Sequence, residues 1–311
     1  MIGSAPAKII LFGEHAVVYG YPAIAAPISS LRVNAEAVAN EKHGLRIYSE
    51  TFSESGLKRI DLSVDDINDA FALTVKLTLQ KLNRPAPNVD IKINSQIPVA
   101  SGLGSGAAVS TAIARVLMKL SQASLPLEVL NTIIYETEKI HHSTPSGIDN
   151  TVIVYEKSIS YIRDQPIQLL EINKPFHFVI ADTGIPAPTK IAVDDVRQLI
   201  ESEPQRYTPV LRTIGDIVEK AKLALASGNR IELGKLMTKN HNYLKELTIS
   251  SAQLDYLCQI AVNNGALGAK LSGGGRGGNM IALVTPETQN SVVNALKDAG
   301  AVHTFFTVVE S

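Results

Sequence analysis

The sequence predicts an α+β protein of two domains that divide near residue 174, and three observations predict it. At 311 residues the chain has the length of one large or two ordinary domains. Its hydrophobic content of 45% and charged content of 19% are those of a folded soluble protein. The third observation is a change of rhythm. Strands and helices are mixed up to residue 173, whereas residues 174–311 read strand, helices, strand, strand, helix, strand. That succession is the split βαβ, or ferredoxin-like, order.

The elements follow from local pattern. Lys8–Phe12 is a short apolar strand ending at Gly13, and Leu31–Ala37 alternates as a strand does. Ser63 followed by Asp66 opens a helix with a capping-box-like pair. That helix places Ile67, Phe71, Val75, Leu79 and Leu82 on one face and ends by Pro85. Val89, Ile91 and Ile93 alternate with polar residues and form a strand. The turn Pro98–Gly104 leads into an alanine-rich helix from Ala107 to Leu120, and Pro126 opens a helix that stops before Pro145. In the second half Phe176–Ala181 is a strand, followed by helices at Thr189–Glu201, Pro209–Ala226, Ile231–Leu247 and Ser251–Asn263. Strands Ala266–Leu271 and Met280–Val284, helix Gln289–Ala299 and strand Val302–Val309 complete the chain.

Charge and cysteine use exclude several classes. With 29 basic and 30 acidic residues the formal net charge is −1, which gives no general attraction to nucleic acid or an anionic membrane. An anionic ligand must therefore be held by local geometry. The single Cys258 rules out an intrachain disulfide or a multi-cysteine metal site and suits a reducing cytoplasm. The first thirty residues do not have the layout of a signal peptide, and no apolar run is long enough to span a bilayer.

Two glycine-rich loops carry the strongest local signal. Residues 273–278 hold five glycines in six positions between short apolar runs, where backbone passes close to something or gathers its N–H groups on an anion. Neither loop matches the Gly-x-x-x-x-Gly-Lys-Ser/Thr pattern of the common nucleotide-binding P-loop. Gly273-x-Gly275-x-x-Gly278 fits the dinucleotide string, but it leads into a strand, and that fingerprint must open a helix. Gly102-x-Gly104-x-x-Ala107 does open a helix, yet residues 121–127 offer no acid to hold a ribose. The segment 101–108 aims free backbone N–H groups and a helix dipole at whatever fills the loop, which suits phosphate. A tight strand-to-helix turn is the competing reading.

Four polar features stand out beside the loops. Pro145-Ser-Gly-Ile-Asp149 fixes a carboxylate on a turn eleven residues after Glu138. Such a pair suits one catalytic and one metal-binding role in phosphoryl transfer, or else a helix cap and a solvated helix residue. Lys8, within an apolar strand, either snorkels or points at an anion. Glu14 and His15, at the end of that strand, belong either to a site or to a solvated turn. Thr189 begins a helix, where threonine commonly acts as a cap. The neighbours His141 and His142 point in different directions on a helix and read as structural.

With these segments in hand, the chain resembles the GHMP kinases over nearly its whole length. Ala5-Pro-Ala-Lys-Ile-Ile-Leu-Phe-Gly-Glu-His-Ala-Val-Val-Tyr-Gly20 is similar to the family's first motif. Pro98-Val-Ala-Ser-Gly-Leu-Gly-Ser-Gly-Ala-Ala108 resembles the second, and Lys270-Leu-Ser-Gly-Gly-Gly-Arg-Gly-Gly278 the third. Pro145–Asp149 and Pro186-Ala-Pro-Thr-Lys190 also match. The Gly-Glu-His-Ala-Val-Val-Tyr-Gly string points to the mevalonate-phosphorylating branch.

The resemblance implies an N-terminal domain of the ribosomal-protein-S5-like domain 2 type at 1–173, a ferredoxin-like domain at 174–311, and an active site in the cleft between them. It also implies ATP and mevalonate as substrates, Mg²⁺ as cofactor, a cytoplasmic enzyme, and a homodimer as one option. Asp149 would be the catalytic carboxylate, with Lys8 beside it neutralising phosphate charge. Glu14, His15 and Thr189 would line the mevalonate side, and His15 is the main reason to expect a small carboxylate substrate. Ser101, Gly102, Leu103, Gly104, Ser105, Gly106 and Ala107 would hold the ATP phosphates, with Gly274 and Gly275 closing the site. Glu138 and Ser105 would bind the metal. Other readings within the resemblance are a kinase for phosphomevalonate or a sugar, and the ATP-dependent mevalonate-diphosphate decarboxylase. The chain departs from the family's pattern at Gly106, where a second serine is usual, and at Asn279, where cysteine is frequent.

Overall fold

The computed structural model describes residues 1–40, 44–49, 58–61, 69–98, 101–141, 145–187 and 189–310. Contacts divide the chain into two compact units. One comprises Met1–Ala7, Leu31–Val99 and Gly104–Glu156, and the other Lys8–Ser30, Ala100–Leu103 and Lys157–Ser311. Strands β1 (Ile2–Phe12) and β2 (Ala23–Ala39) contribute residues to both.

In the first unit the later part of β2 pairs antiparallel with β5 (Val89–Ser95), from Val33 opposite Ser95 to Ala39 opposite Val89. Strand β3 (Leu45–Ser49) joins β5 in parallel, and β4 (Lys58–Asp61) joins β3 antiparallel. The alternation read in β5 is the pleat at work, with Val89, Ile91 and Ile93 buried. The helices are α1 (Ala70–Leu82), α2 (Ser105–Leu120), α3 (Leu127–His141) and α4 (Ile148–Tyr155), with α1 packed on α2 and α3 and α4 on the same two. Helix α1 starts from Asp69, whose carboxylate accepts from the amides of Phe71 at 2.7 Å and Ala72 at 3.0 Å. The expected start at Ser63 and Asp66, with Ile67, lies outside the described residues.

In the second unit β6 (Ile159–Tyr161) pairs with the first residues of β2, and β7 (Gln168–Leu169) with β6. The chain then runs β8 (Phe176–Asp182), α5 (Thr189–Ser202), α6 (Pro204–Ser227), α7 (Arg230–Glu246), α8 (Ala252–Asn263), β9 (Gly268–Ser272), β10 (Asn279–Val284), α9 (Gln289–Asp298) and β11 (His303–Val309). The strand order β11-β8-β10-β9, with antiparallel neighbours, is the ferredoxin-like sheet that the succession of elements predicts. Four helices fill its first crossover. Helix α6 begins at Pro204 rather than the expected Pro209, because a proline at the first helical position sacrifices no hydrogen bond, and Pro209 is carried inside the helix.

Helix α7 lies unusually close to the sheet. A Cβ on Gly268 would sit 1.9 Å from the carbonyl oxygen of Gly234, and one on Gly234 would sit 2.3 Å from that of Leu267. These two glycines set the height of α7 over β9. Gly268→Ala should therefore lower the stability by about 1–3 kcal/mol, read as a shifted urea midpoint at unchanged m-value. A wild-type midpoint would show that α7 retreats without cost.

Candidate active site

The site grows from the end of β1. Lys8 lies inside the strand, buried at 3% exposure, so it does not snorkel to solvent, and its amide donates to the Leu103 carbonyl at 3.0 Å. Past Gly13 the chain turns into a short 3-10 segment, Ala16–Tyr19, and Glu14 and His15 fall at its start. Both are buried, at 1% and 6% exposure, which excludes a solvated turn. His15 adopts φ 60°, a conformation that costs a β-carbon-bearing residue on the order of 1–3 kcal/mol and is kept where surrounding structure imposes it.

A buried carboxylate needs a partner, and Glu14 has one far along the chain. Lys270, fully buried on β9, donates to Glu14 Oε1 and, at 2.6 Å, to the Leu271 carbonyl. Burial raises the Glu14 carboxyl above its ordinary range, opposed by Lys270 and then by Lys8. Burial likewise lowers Lys270, opposed by Glu14. Among the described residues nothing hydrogen-bonds Glu14 Oε2, which leaves that oxygen to accept from something else.

His15 Nε2 lies 3.0 Å from the Gly274 carbonyl, an acceptor only, so Nε2 carries the proton. Burial pushes the ring down to about 4, the Gly274 carbonyl pulling up and the Arg276 charge adding to the fall. His15 is thus neutral near pH 7, and its buried Nδ1 is an acceptor with no protein partner among the described residues. His241 on α7 is a second buried imidazole. Its Nδ1 accepts from the Leu271 amide at 3.2 Å, and its Nε2 donates to Asp255 at 3.0 Å. It too is pushed to about 4, chiefly by burial, with Asp255 opposing. Although the His241–Asp255 contact has ion-pair geometry, the amide that fills Nδ1 keeps the ring neutral.

The loop between β9 and β10 is pinned on several sides. A Cβ on Gly274 would lie 2.6 Å from Thr189 Oγ1, so Thr189, the first residue of α5, packs directly against the loop. Arg276 pairs with Asp195 and donates to the Thr248 carbonyl at 3.2 Å, and its amide donates to the Ile249 carbonyl at 2.8 Å. This unit therefore brings together Lys8, Glu14, His15, Thr189, Gly274 and Gly275, and it holds the buried Ser101 and Leu103 on either side of Gly102.

The first unit carries the other expected residues. Helix α2 opens at Ser105 after Gly104, which has φ 77° and, among the described residues, no side-chain cap beside it. The amides of Ser105, Gly106 and Ala107 thus point out of the helix start, as an anion requires. Glu138 on α3 is buried and so is no solvated helix residue. Asp149 is in the first turn of α4, whose N-cap is Gly147, so Asp149 does not cap the helix, and it is partly buried. Asn131 on α3 ties down that turn. Its carbonyl accepts from Asn150 at 2.7 Å and its amide donates to Thr151 at 3.3 Å. His142 lies outside the described residues. Among those described, no three His, Cys, Asp or Glu side chains gather as a metal cage. Glu138 and Ser105 supply the hard oxygen donors that suit Mg²⁺, which takes one or two carboxylates and completes its shell with phosphates and water.

The stretches 70–157 and 221–302 match the models of the GHMP kinase N-terminal and C-terminal domains. The chain belongs to the GHMP kinases. Relatives within this family include mevalonate kinases. That of Thermococcus gammatolerans is 37% identical over 319 residues, covering 96% of this chain and 93% of the relative. The crystal structure of the L. major mevalonate kinase in complex with R-mevalonate matches with TM-score 0.85 at 30% identity, over 100% of this chain and 96% of that one. The Methanococcus jannaschii mevalonate kinase matches with TM-score 0.87 at 27% identity, over 100% and 98%. Sequence reasoning on this GHMP kinase missed Lys270 as the partner of Glu14. The signal was available, since Lys270 sits in an apolar strand just as Lys8 does.

Two outcomes follow for the buried charges. Lys270→Met should destabilise by about 3–5 kcal/mol, because it strands Glu14 in the core, and Glu14→Gln/Lys270→Met should recover most of that loss in urea denaturation. Equal stability of the single variant and the wild type would refute the role given to the pair. His15 and His241, depressed to about 4 in the fold, protonate near 6.5 when unfolded. The unfolded chain then binds more protons between those values, so stability is full above pH 6.5 and falls as pH drops towards 4. Imidazole NMR should show two of the seven histidines staying neutral down to about pH 4.

Proposed function

We propose that this kinase transfers the γ-phosphoryl group of ATP to the C5 hydroxyl of (R)-mevalonate. The products are 5-phosphomevalonate and ADP, in the mevalonate pathway of isoprenoid biosynthesis. The observation that carries the reading is the buried Glu14–His15 turn, which presents two unfilled acceptors, Glu14 Oε2 and His15 Nδ1. Acceptors in a dry site call for donor groups on the ligand, and mevalonate brings two hydroxyls. A neutral His15 offering a lone pair suits a hydroxyl, whereas the sequence pointed it at the carboxylate.

In the reaction the C5 oxygen bonds to the γ-phosphorus as the bond to the β-phosphate oxygen breaks, and the hydroxyl proton passes to Asp149. Lys8 offsets the charge on the transferring group. The amides of the 101–107 segment hold the phosphates, Gly274 and Gly275 form a wall, and Thr189 lines the acceptor side. Glu138 and Ser105 would hold Mg²⁺, which draws charge from the phosphate oxygens when bound. Lys270 keeps Glu14 in place. A phosphomevalonate substrate would need further cations for its second phosphate, and residues 182–190 offer Lys190 alone. Among the described residues no helix is long and apolar enough to cross a membrane. A cytoplasmic enzyme, with a homodimer as one option, completes the proposal. The boundary at 173/174 stands as a proposal for where the family domains meet, supported by the two matched stretches falling on opposite sides of it.

An ADP-release assay on mevalonate, phosphomevalonate, galactose and homoserine should show turnover on mevalonate. Turnover on another of these with background on mevalonate would overturn the proposal. Asp149→Asn should lower kcat by roughly 10²–10⁴-fold while an ATP analogue binds as before.

A further inference from the structure

We infer that Asn279 is a positioning residue that clamps the entry of the triphosphate loop, an inference that rests on the nucleotide role proposed for residues 101–107. The side chain is buried at 1% exposure, and its Nδ2 donates to the backbone carbonyl of Ser101, 178 residues away in sequence. The acceptor is a carbonyl, so the amide nitrogen must face it, and the orientation of the side chain is fixed by chemistry. On the other side of Gly102, the Leu103 carbonyl accepts from the Lys8 amide at 3.0 Å. The loop is therefore held at both shoulders, while a Cβ on Gly102, with φ 80°, would meet nothing within 4 Å among the described residues. Gly278 approaches the same carbonyl so closely that a Cβ there would lie 3.1 Å from Ser101 O.

The base of the clamp is rigid. Asn279 opens β10 and pairs with Asp182 of β8 on one side and Ser272 of β9 on the other. The Gly278 carbonyl accepts from both the amide and the hydroxyl of Thr183 at 2.9 Å, and the Gly278 amide donates to Ile185 at 2.8 Å. A side chain on so fixed a strand end transmits the position of the sheet to the loop with little slack. An amide is the right length and has the donor that the Ser101 carbonyl needs. A shorter or apolar side chain in its place would leave the Ser101 carbonyl without this donor. The clamp acts on the nucleotide side of the reaction, because Glu14 and His15 are held by Lys270 and Gly274 instead.

Asn279→Asp tests the clamp most sharply, since it keeps the shape and replaces the donor with an acceptor facing an acceptor. Asn279→Ala deletes the group and serves if the aspartate variant does not fold. Binding of a non-hydrolysable ATP analogue should weaken about tenfold, and KM for ATP should rise in step, with KM for mevalonate unchanged. Gly104→Val, placed in the loop itself, is the comparison. If it weakens nucleotide binding while both Asn279 variants bind as the wild type does, the clamp is refuted and the loop assignment stands. If none of the three affects nucleotide binding, the loop assignment and the clamp fall together. A loss shared equally between ATP and mevalonate in the Asn279 variants, tracking a lowered Tm, would make Asn279 a general packing residue and also refute the inference.

Discussion

The constraint on which the second unit depends is the burial of one ion pair. Glu14 and Lys270 are removed from water almost completely, and neither tolerates that alone. Their pairing ties the turn after β1 to the strand that leads into the glycine-rich loop. Once Lys270 is committed to Glu14 Oε1 and to the Leu271 carbonyl, the second oxygen of Glu14 is oriented and left open. The desolvation cost borne by the pair is thereby converted into a directed acceptor. The His15 ring is fixed in the same way, since the Gly274 carbonyl selects its tautomer and so exposes Nδ1.

These groups stay where they are because loops of unusual shape rest on regular elements. Thr183 and Ile185, just past β8, hold the glycine loop at Gly278, the α7–α8 junction holds it through Thr248 and Ile249, and Asn279 at the start of β10 reaches the other loop at Ser101. His241 adds a support from the helix layer by filling its Nδ1 with the amide of Leu271, next to Lys270. Such a scaffold sustains the left-handed His15, which a mobile loop would release. In the first unit the logic is repeated with neutral groups. Asn131 and Asn150 join α3 to the first turn of α4, so the helices bearing Glu138 and Asp149 keep a fixed relation.

Much of this was legible in the sequence, for physical reasons. The ferredoxin-like half was readable because its strands are short, apolar and separated by amphipathic helices, so periodicity alone marks each one. The glycine loops were readable because backbone approach demands glycine. Helix α4 was not legible, since its eight residues are too few to show a period and its start at Gly147 looks like a continuing turn. Strands β3 and β4 were missed for similar reasons, as Leu45–Ser49 and Lys58–Asp61 are too short to show a period and the second is mostly charged. Lys270 was visible as an anomaly, but its partner was not, because pairing over 256 residues is a property of topology and leaves no local trace. The histidine tautomers likewise depend on which carbonyl or amide the fold sets against each ring.

Residues 8–30 belong to the unit that residues 157–311 complete. A chain emerging from the ribosome makes Glu14 256 residues before Lys270. Until then the carboxylate lacks its hydrogen-bonded countercharge, and the turn bearing it lacks the surroundings that dry it out. The N-terminal half therefore cannot mature as a vectorially folded module that the remainder later joins. The stretch from Lys8 to Ser30 must wait, solvated, for the residues from 157 onward. Fragments cut at the apparent domain boundary would carry an orphaned acid in one piece and an orphaned amine in the other, and any splitting or exchange of domains in this enzyme has to respect that pairing.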